Sequence, residues 1–253
     1  MIEFRQVTTG YGNTVAVKDI TFHVEQGTIT SLIGPNGSGK STLLRAAVGQ
    51  LPLWGGDIVI KGKSLSSYGR KELARTVAFM PQSRSVPSIT VRGLVSHGRF
   101  PYLGLSRKMM ARDKQAVAQA MEQTGVAEWA DRDLRALSGG ERQRAYLAMA
   151  LAQDTDVIFL DEPATYLDIS HQFELLELIR ALNRQGKTIV MVLHDLGHAL
   201  SCSHNVALLY QGHLAACESP RSLYQSGEID RIFQVCTHQV QGSYYFTARS
   251  RAD

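Results

Sequence analysis

The sequence predicts an α/β chain in which buried parallel strands alternate with helices. Three observations lead there. The nonapeptide GPNGSGKST (Gly34 to Thr42) sits between a buried apolar run, TITSLIGP, and a stretch of helical composition, KSTLLRAAVG. Two short runs rich in β-branched residues, VIFLDEP (Val157 to Pro163) and TIVMVLHD (Thr188 to Asp195), suit strands covered on both faces. Between those runs lies a helical pattern over about Ser170 to Arg184, so strand, helix and strand follow in turn.

Taken in order, the first element is DITFHVEQG, where Ile20, Phe22 and Val24 alternate with Thr21 and His23 as in a half-buried strand. The strand entering the glycine loop and the helix leaving it follow. From about Ser88 to Arg135 no convincing strand is found, and RKMMARDKQAVAQAMEQTG reads as a charged amphipathic helix. The longest apolar run, Ala145 to Ala152, is far short of the roughly 20 residues a membrane-spanning helix needs. Near the C-terminus VALLYQGHLAA reads as a hairpin turning at Gln211-Gly212. The last residues, from about Gln234 to Asp253, read as a short strand and tail.

Composition narrows the class. The 253 residues are 44% hydrophobic and 20% charged, which fits a globular chain with a real core and argues against disorder. Net charge is +4, without a dense basic run interleaved with aromatics, so no nucleic-acid partner is expected. Three cysteines, never in CxxC spacing, argue against a disulfide framework or a zinc site. The N-terminus, MIEFRQVTTG, lacks the basic and then apolar layout of a signal peptide, so an intracellular chain is expected.

The glycine loop fits GxxxxGK[ST]. In that pattern glycines let successive backbone amides wrap a polyphosphate, and the following helix turns its positive end to the same anion. Lys40 is expected to reach the β- and γ-phosphates, and the Ser41 hydroxyl to coordinate Mg²⁺. VIFLDEP ends in two adjacent carboxylates, of which Asp161 suits the metal and Glu162 suits a general base acting on water. LSGGERQR (Leu137 to Arg144) sets Ser138 and two glycines before another helix, a second anion device. Ser138 is also a good helix cap three residues before Glu141, although a cap alone does not call for two glycines. His194 and His198 stand four apart, but no glutamate sits between them in an HExxH arrangement, so a metal pair is not expected.

With these strings in family order, the chain resembles the ATPase subunit of an ATP-binding cassette (ABC) transporter over about Met1 to Tyr224. The glycine loop is similar to the Walker A motif, LSGGERQ to the ABC signature and VIFLDE to Walker B. Gln82 in MPQS resembles the Q-loop glutamine, Leu167-Asp168 the D-loop, His194 the switch histidine, and Tyr11 the aromatic that stacks on adenine. The resemblance implies an α/β P-loop NTPase cassette with an antiparallel β subdomain and an inserted helical subdomain. Residues 1–87 and 136–253 would form the core and β subdomain, and about 88–135 the helical part, all within one domain.

It further implies ATP and Mg²⁺ as cofactors. Asn36, Gly37, Ser38, Gly39, Lys40, Ser41 and Thr42 would hold ATP, and Ser41, Gln82 and Asp161 the metal. Glu162, His194 and Gln82 would serve hydrolysis. Ser138, Gly139, Gly140, Gln143 and Asp168 would contact ATP held by a second copy. The implied assembly is a homodimer on two transmembrane permease subunits, peripheral to the cytoplasmic face of the membrane, with a substrate-binding protein as an indirect partner.

VSHGRFPYLG (Val95 to Gly104) and EPATYLDISHQ (Glu162 to Gln172) resemble cassettes serving iron-siderophore, haem and cobalamin import. Two positions depart from that pattern: Ala164 stands where threonine is usual, and Gly197 where asparagine is. A permease helix is expected to dock between Gln82 and Leu105, near Arg99 to Leu103. Phe100 and Tyr102 have two readings, exposed anchors or core residues of the helical section. An exporter subunit is the nearest alternative. A cassette acting on ribosomes or nucleic acid is the next, though this chain has one glycine loop, one signature and no heptad array.

Overall fold

The structure, a computed structural model, describes residues 1–82, 86–104 and 108–249, and these fall into two units. Unit 1 comprises Met1–Tyr68 and Thr188–Asp253, and unit 2 comprises Gly69–Lys187.

Unit 1 opens with β1 (Ile2–Tyr11) and β2 (Thr14–Val24), paired antiparallel. Ile20, Phe22 and Val24 are buried and Thr21 and His23 exposed, as the alternation predicts. β3 (Ile29–Ile33) has all five residues buried and leads through the glycine loop into α1 (Lys40–Ala47). β4 (Gly55–Ile60) pairs with β1 and with the short β5 (Lys63–Ser64), giving an antiparallel sheet ordered β2-β1-β4-β5.

Unit 2 begins with α2 (Arg70–Thr76) and β6 (Val77–Met80). Helices α3 (Val91–His97), α4 (Ala111–Gln123) and α5 (Gly139–Ala152) follow. β7 (Val157–Asp161), fully buried, and α6 (Ile169–Arg184) complete it. α5 touches α3, α4, α6 and β6, which is why its second half, Ala145 to Ala152, is the chain's longest apolar run: a helix surrounded by neighbours needs little polar face. α4 starts later than the charge pattern suggests, because Asp113 Oδ2 accepts from the Met110 amide at 3.0 Å and fixes the first turn there. Arg107, where that pattern begins, lies outside the described residues.

The chain then returns to unit 1 with β8 (Thr188–Val192), again fully buried, and α7 (Leu196–Cys202). β9 (Asn205–Tyr210) and β10 (His213–Glu218) form the expected hairpin, with Gln211 at φ 48° and Gly212 at φ 79°. Two successive positive φ values suit the twist of paired strands, and glycine reaches them without strain. β3 runs parallel to β8 on one side and β9 on the other, in the order β10-β9-β3-β8. α8 (Pro220–Ser226) and α9 (Glu228–Phe233) precede a second hairpin, β11 (Val235–Val240) and β12 (Ser243–Ala248). The C-terminal stretch read as one strand is thus a pair, and β12 packs on α7; residues 250–253 lie outside the described chain. Among the described residues no helix is long and apolar enough to cross a membrane.

Candidate functional site

In unit 1 the parallel register sets the site. Leu32 of β3 pairs with Val192 of β8, and the Leu193 amide donates to the Leu32 carbonyl at 3.2 Å. Gly34 and His194 therefore leave the sheet side by side, at the carboxyl ends of neighbouring strands, where α/β sheets carry their ligands. His194 is exposed there.

The glycines of the loop have different tasks. Gly34, at φ 147°, lies against β9, and a Cβ there would stand 2.0 Å from the Leu209 carbonyl oxygen. Gly39, at φ 95°, lies against β2, where a Cβ would meet Val17 Cγ1 at 2.2 Å. Those two glycines let the loop press on both sheets, the parallel one through β9 and the antiparallel one through β2. Gly37 and Asn36 form the exposed tip. Lys40 is buried, and its ammonium donates to the carbonyls of Gly34 at 2.8 Å and Pro35 at 3.0 Å. Ser38 and Thr42 are buried beside it and Ser41 is half-buried. α1 starts without a side-chain cap and without an acid in its first turn. An ammonium, a run of loop amides and a helix N-terminus thus combine into a strongly anion-attracting concavity. Tyr11 is exposed at the end of β1, one turn from the Ala16 and Val17 segment that backs Gly39.

Unit 2 repeats the logic of register. Met80 of β6 pairs with Leu160 of β7, so Gln82 and Glu162, each two residues on, emerge together. The Gln82 side-chain amide donates to Glu162 Oε2, and the Thr165 hydroxyl donates to the same oxygen at 3.2 Å. Glu162 takes φ 55°, a conformation uncommon outside glycine that redirects the chain as the strand ends. Asp161, the last residue of β7, is 1% exposed. Within this unit Gln82 and Asp161 carry amide and carboxylate oxygens, and within unit 1 Ser41 carries a hydroxyl; each is a hard donor type that suits Mg²⁺. Thr165 was not singled out from sequence; its place three residues after Glu162, within one turn, was the available signal. Ala164, where threonine is usual, is buried, and the hydroxyl that reaches Glu162 belongs to its neighbour.

The signature segment caps α5. Ser138 Oγ accepts from the Glu141 amide at 3.3 Å, and Glu141 Oε2 accepts from the Ser138 amide at 2.6 Å. That Ser138 amide, with its hydroxyl, holds the Glu141 carboxyl below its ordinary range. Gly139 and Gly140 form the first turn, and Gln143 is half-buried on the next. Asp168 caps α6. Its Oδ1 accepts from the His171 amide at 2.9 Å and the Ser170 hydroxyl at 2.9 Å, and both its oxygens face His171 Nδ1, at 2.7 and 2.8 Å. Led by the His171 amide, these contacts lower the Asp168 carboxyl to about 2. His171 too was missed from sequence, although Asp168 and His171 stand at cap-to-third-residue spacing.

In the stretch expected to dock a permease, Arg99 and Leu103 point inward and are buried. Arg99 is fixed by Asp113 at 3.1 Å and by the Ala152 carbonyl at 2.9 Å, so its side chain does not offer itself at the surface of that stretch. Phe100 is 56% exposed, the reading of an anchor. Tyr102 is half-buried, its hydroxyl donating to the Gln153 carbonyl at 2.9 Å and its ring lying 3.9 Å from the Arg99 guanidinium. Ser83, within MPQS, and Leu105, the end of the stretch, lie outside the described residues.

Gly197 has a structural reason. A Cβ there would lie 3.2 Å from Asp195 Oδ1 and 3.4 Å from the Tyr244 carbonyl of β12. Only the Asp195 carboxylate is tighter than an ordinary contact. Gly197→Asn is expected to destabilise the chain by about 1–3 kcal/mol through overpacking. Thermal unfolding measures it, and an unchanged midpoint would mean that the Asp195 carboxylate gives way.

A family profile described as ABC transporter matches residues 17–165. The chain is 41% identical over 232 residues to the iron(3+)-hydroxamate import ATP-binding protein FhuC of Bacillus subtilis (strain 168), covering 91% of this chain and 86% of the relative. It is 41% identical over 230 residues to the ferric enterobactin transport ATP-binding protein FepC of Escherichia coli (strain K12), covering 90% and 85%. Among solved structures, a chain of a metal-chelate type ABC transporter in an inward-facing conformation matches with a TM-score of 0.82 and 26% identity, over 97% of this chain and 95% of that one.

Proposed function

The chain belongs to the ABC transporter family, and from that premise we propose that it is the ATP-hydrolysing subunit of an importer for ferric chelates. ABC transporter ATP-binding proteins are ATPases coupled to transport, and importer subunits of this kind work as dimers with transmembrane permease partners. The single observation that carries the catalytic reading is the pairing of Gln82 with Glu162 at the adjoining ends of β6 and β7. That arrangement orients a carboxylate at the place where an attacking water must be deprotonated.

In this reading Tyr11 stacks on adenine, and the amides from Asn36 to Thr42 with Lys40 hold the phosphates. Ser41, Gln82 and Asp161 would hold Mg²⁺, which when bound would supply charge neutralisation at the phosphates. Glu162 accepts the proton of the attacking water, and His194 hydrogen-bonds the γ-phosphate side of the site. Ser138, Gly139, Gly140, Gln143 and Asp168 serve the ATP of a second copy, so that ATP closes two copies together and hydrolysis lets them part. Residues 1–87 and 136–253 are read as the nucleotide-binding body and about 88–135 as the part facing the permease, with exposed Phe100 as its anchor. The complex would lie on the cytoplasmic face of the membrane and receive its cargo through a substrate-binding protein. The ferric-chelate assignment is supported by the named cargo of the two relatives and by VSHGRFPYLG and EPATYLDISHQ.

Uptake of radioactive iron supplied as a panel of ferric chelates tests the proposal. Cells lacking the chain are expected to lose uptake of at least one chelate, regained with the wild-type chain and not with Glu162→Gln. Unchanged uptake of every chelate would remove the import reading. Binding of RNA or DNA at physiological salt would favour a nucleic-acid function instead. At the level of the isolated chain, Glu162→Gln is expected to shift from monomer to dimer on size-exclusion chromatography when ATP is added, and an added Ser138→Arg to prevent the shift.

A further inference from the structure

We propose that His171 is a positioning residue that locks the Asp168 loop to the first turn of α5, so that the two segments move as one piece. The proposal rests on the reading of Ser138 to Gly140 and of Asp168 as contacts to the partner's ATP, and it adds what holds them in mutual register.

The imidazole bridges two helix N-termini. On one side Nδ1 faces both Asp168 oxygens, at 2.7 and 2.8 Å, while the His171 amide also donates to Oδ1. On the other side the ring lies against Gly140. A Cβ on Gly140 would stand 2.6 Å from His171 Cδ2 and 2.8 Å from Cγ. Real Cβ atoms do not approach so closely, so the ring and any side chain at 140 exclude each other. Gly139 differs: the nearest atom to a Cβ there is Leu167 Cδ2, at 3.7 Å, an ordinary contact. The two glycines of the signature therefore have separate reasons, and the second one seats the histidine. Asp168, ionised down to a pH of about 2, keeps the bridge charged on its acceptor side across the working range. With α5 capped by Ser138 and Glu141, the whole segment from Ser138 to His171 contact is tied at both ends.

Two experiments on the full chain separate this clamp from the reading beneath it. Hydrogen exchange without nucleotide tests the clamp itself. His171→Ala is expected to raise exchange about fivefold or more in both 138–142 and 166–171, and to leave 147–152 unchanged. A rise confined to 166–171 would mean that only a cap was lost, and would overturn the proposal. ATP-driven dimerisation in the Glu162→Gln background tests its use. His171→Ala is expected to weaken the dimer about tenfold while monomer ATP affinity stays constant, and Gly140→Ala to weaken it similarly. Because the alanine methyl takes the space that the ring vacates, the double variant should be no worse than the poorer single one. Additive losses, or a dimer indifferent to His171, would sink the proposal. If the Glu162→Gln parent itself forms no ATP-dependent dimer, the trans-contact reading fails, and the exchange result still decides whether the clamp exists.

Discussion

Glu162→Gln is expected to bind ATP like the wild type and to hydrolyse it roughly 10²–10⁴ times more slowly, the range lost with a general base. Glutamine keeps the length and shape of the side chain, and its oxygen can still accept from the Gln82 amide and the Thr165 hydroxyl. What it lacks is the basicity to take a proton from water. Single-turnover hydrolysis, with the chain in excess over ATP, separates the chemical step from later ones. Thr165→Ala should cost less, because it removes one of two orienting donors and leaves the base itself. Wild-type turnover in Glu162→Gln would take Glu162 out of its role, whatever its position.

Arg99→Ala is expected to destabilise the chain by about 3–5 kcal/mol, the cost of leaving one partner of a buried ion pair behind. Asp113 is only 2% exposed and would be left buried without the guanidinium. The same change frees the Ala152 carbonyl and removes a cation from the Tyr102 ring. Urea unfolding at neutral pH measures the loss. A cost near zero would show that water reaches Asp113. Acid gives a second reading. Burial alone would raise the Asp113 carboxyl, but the Met110 amide and Arg99 together bring it below its ordinary value. A carboxyl lowered on folding contributes stability above its unfolded value, about 3.9, and loses it as pH falls through the folded one. The stability gap between wild type and Asp113→Asn should therefore be full near pH 6 and shrink below about pH 4. A gap constant with pH would remove the ionised pair.

Local rules carried much of the fold. β3, β7 and β8 were legible as runs with no exposed face, and all of their residues are buried. The Gln211-Gly212 turn was legible because only certain residues accept two positive φ values in succession. The same dipeptide, Gln241-Gly242 at φ 49° and 83°, turns β11 into β12, so the second hairpin carried a signal that was not used. Arg99, in the stretch expected near a permease contact, has its side chain buried against Asp113. That burial was not legible locally, because the partner carboxylate is fourteen residues away.

The sequence by itself determined which chemistry the chain carries. The glycine loop, the paired carboxylates and the signature are short strings whose residue types suit phosphate, metal and water, and such a fit is written locally. The tertiary structure alone decided why particular glycines and charges stand where they do. Gly34 makes room for β9, Gly39 for β2 and Gly140 for His171. Each of those neighbours is distant in sequence, and steric exclusion acts only once the chain has brought the two surfaces together.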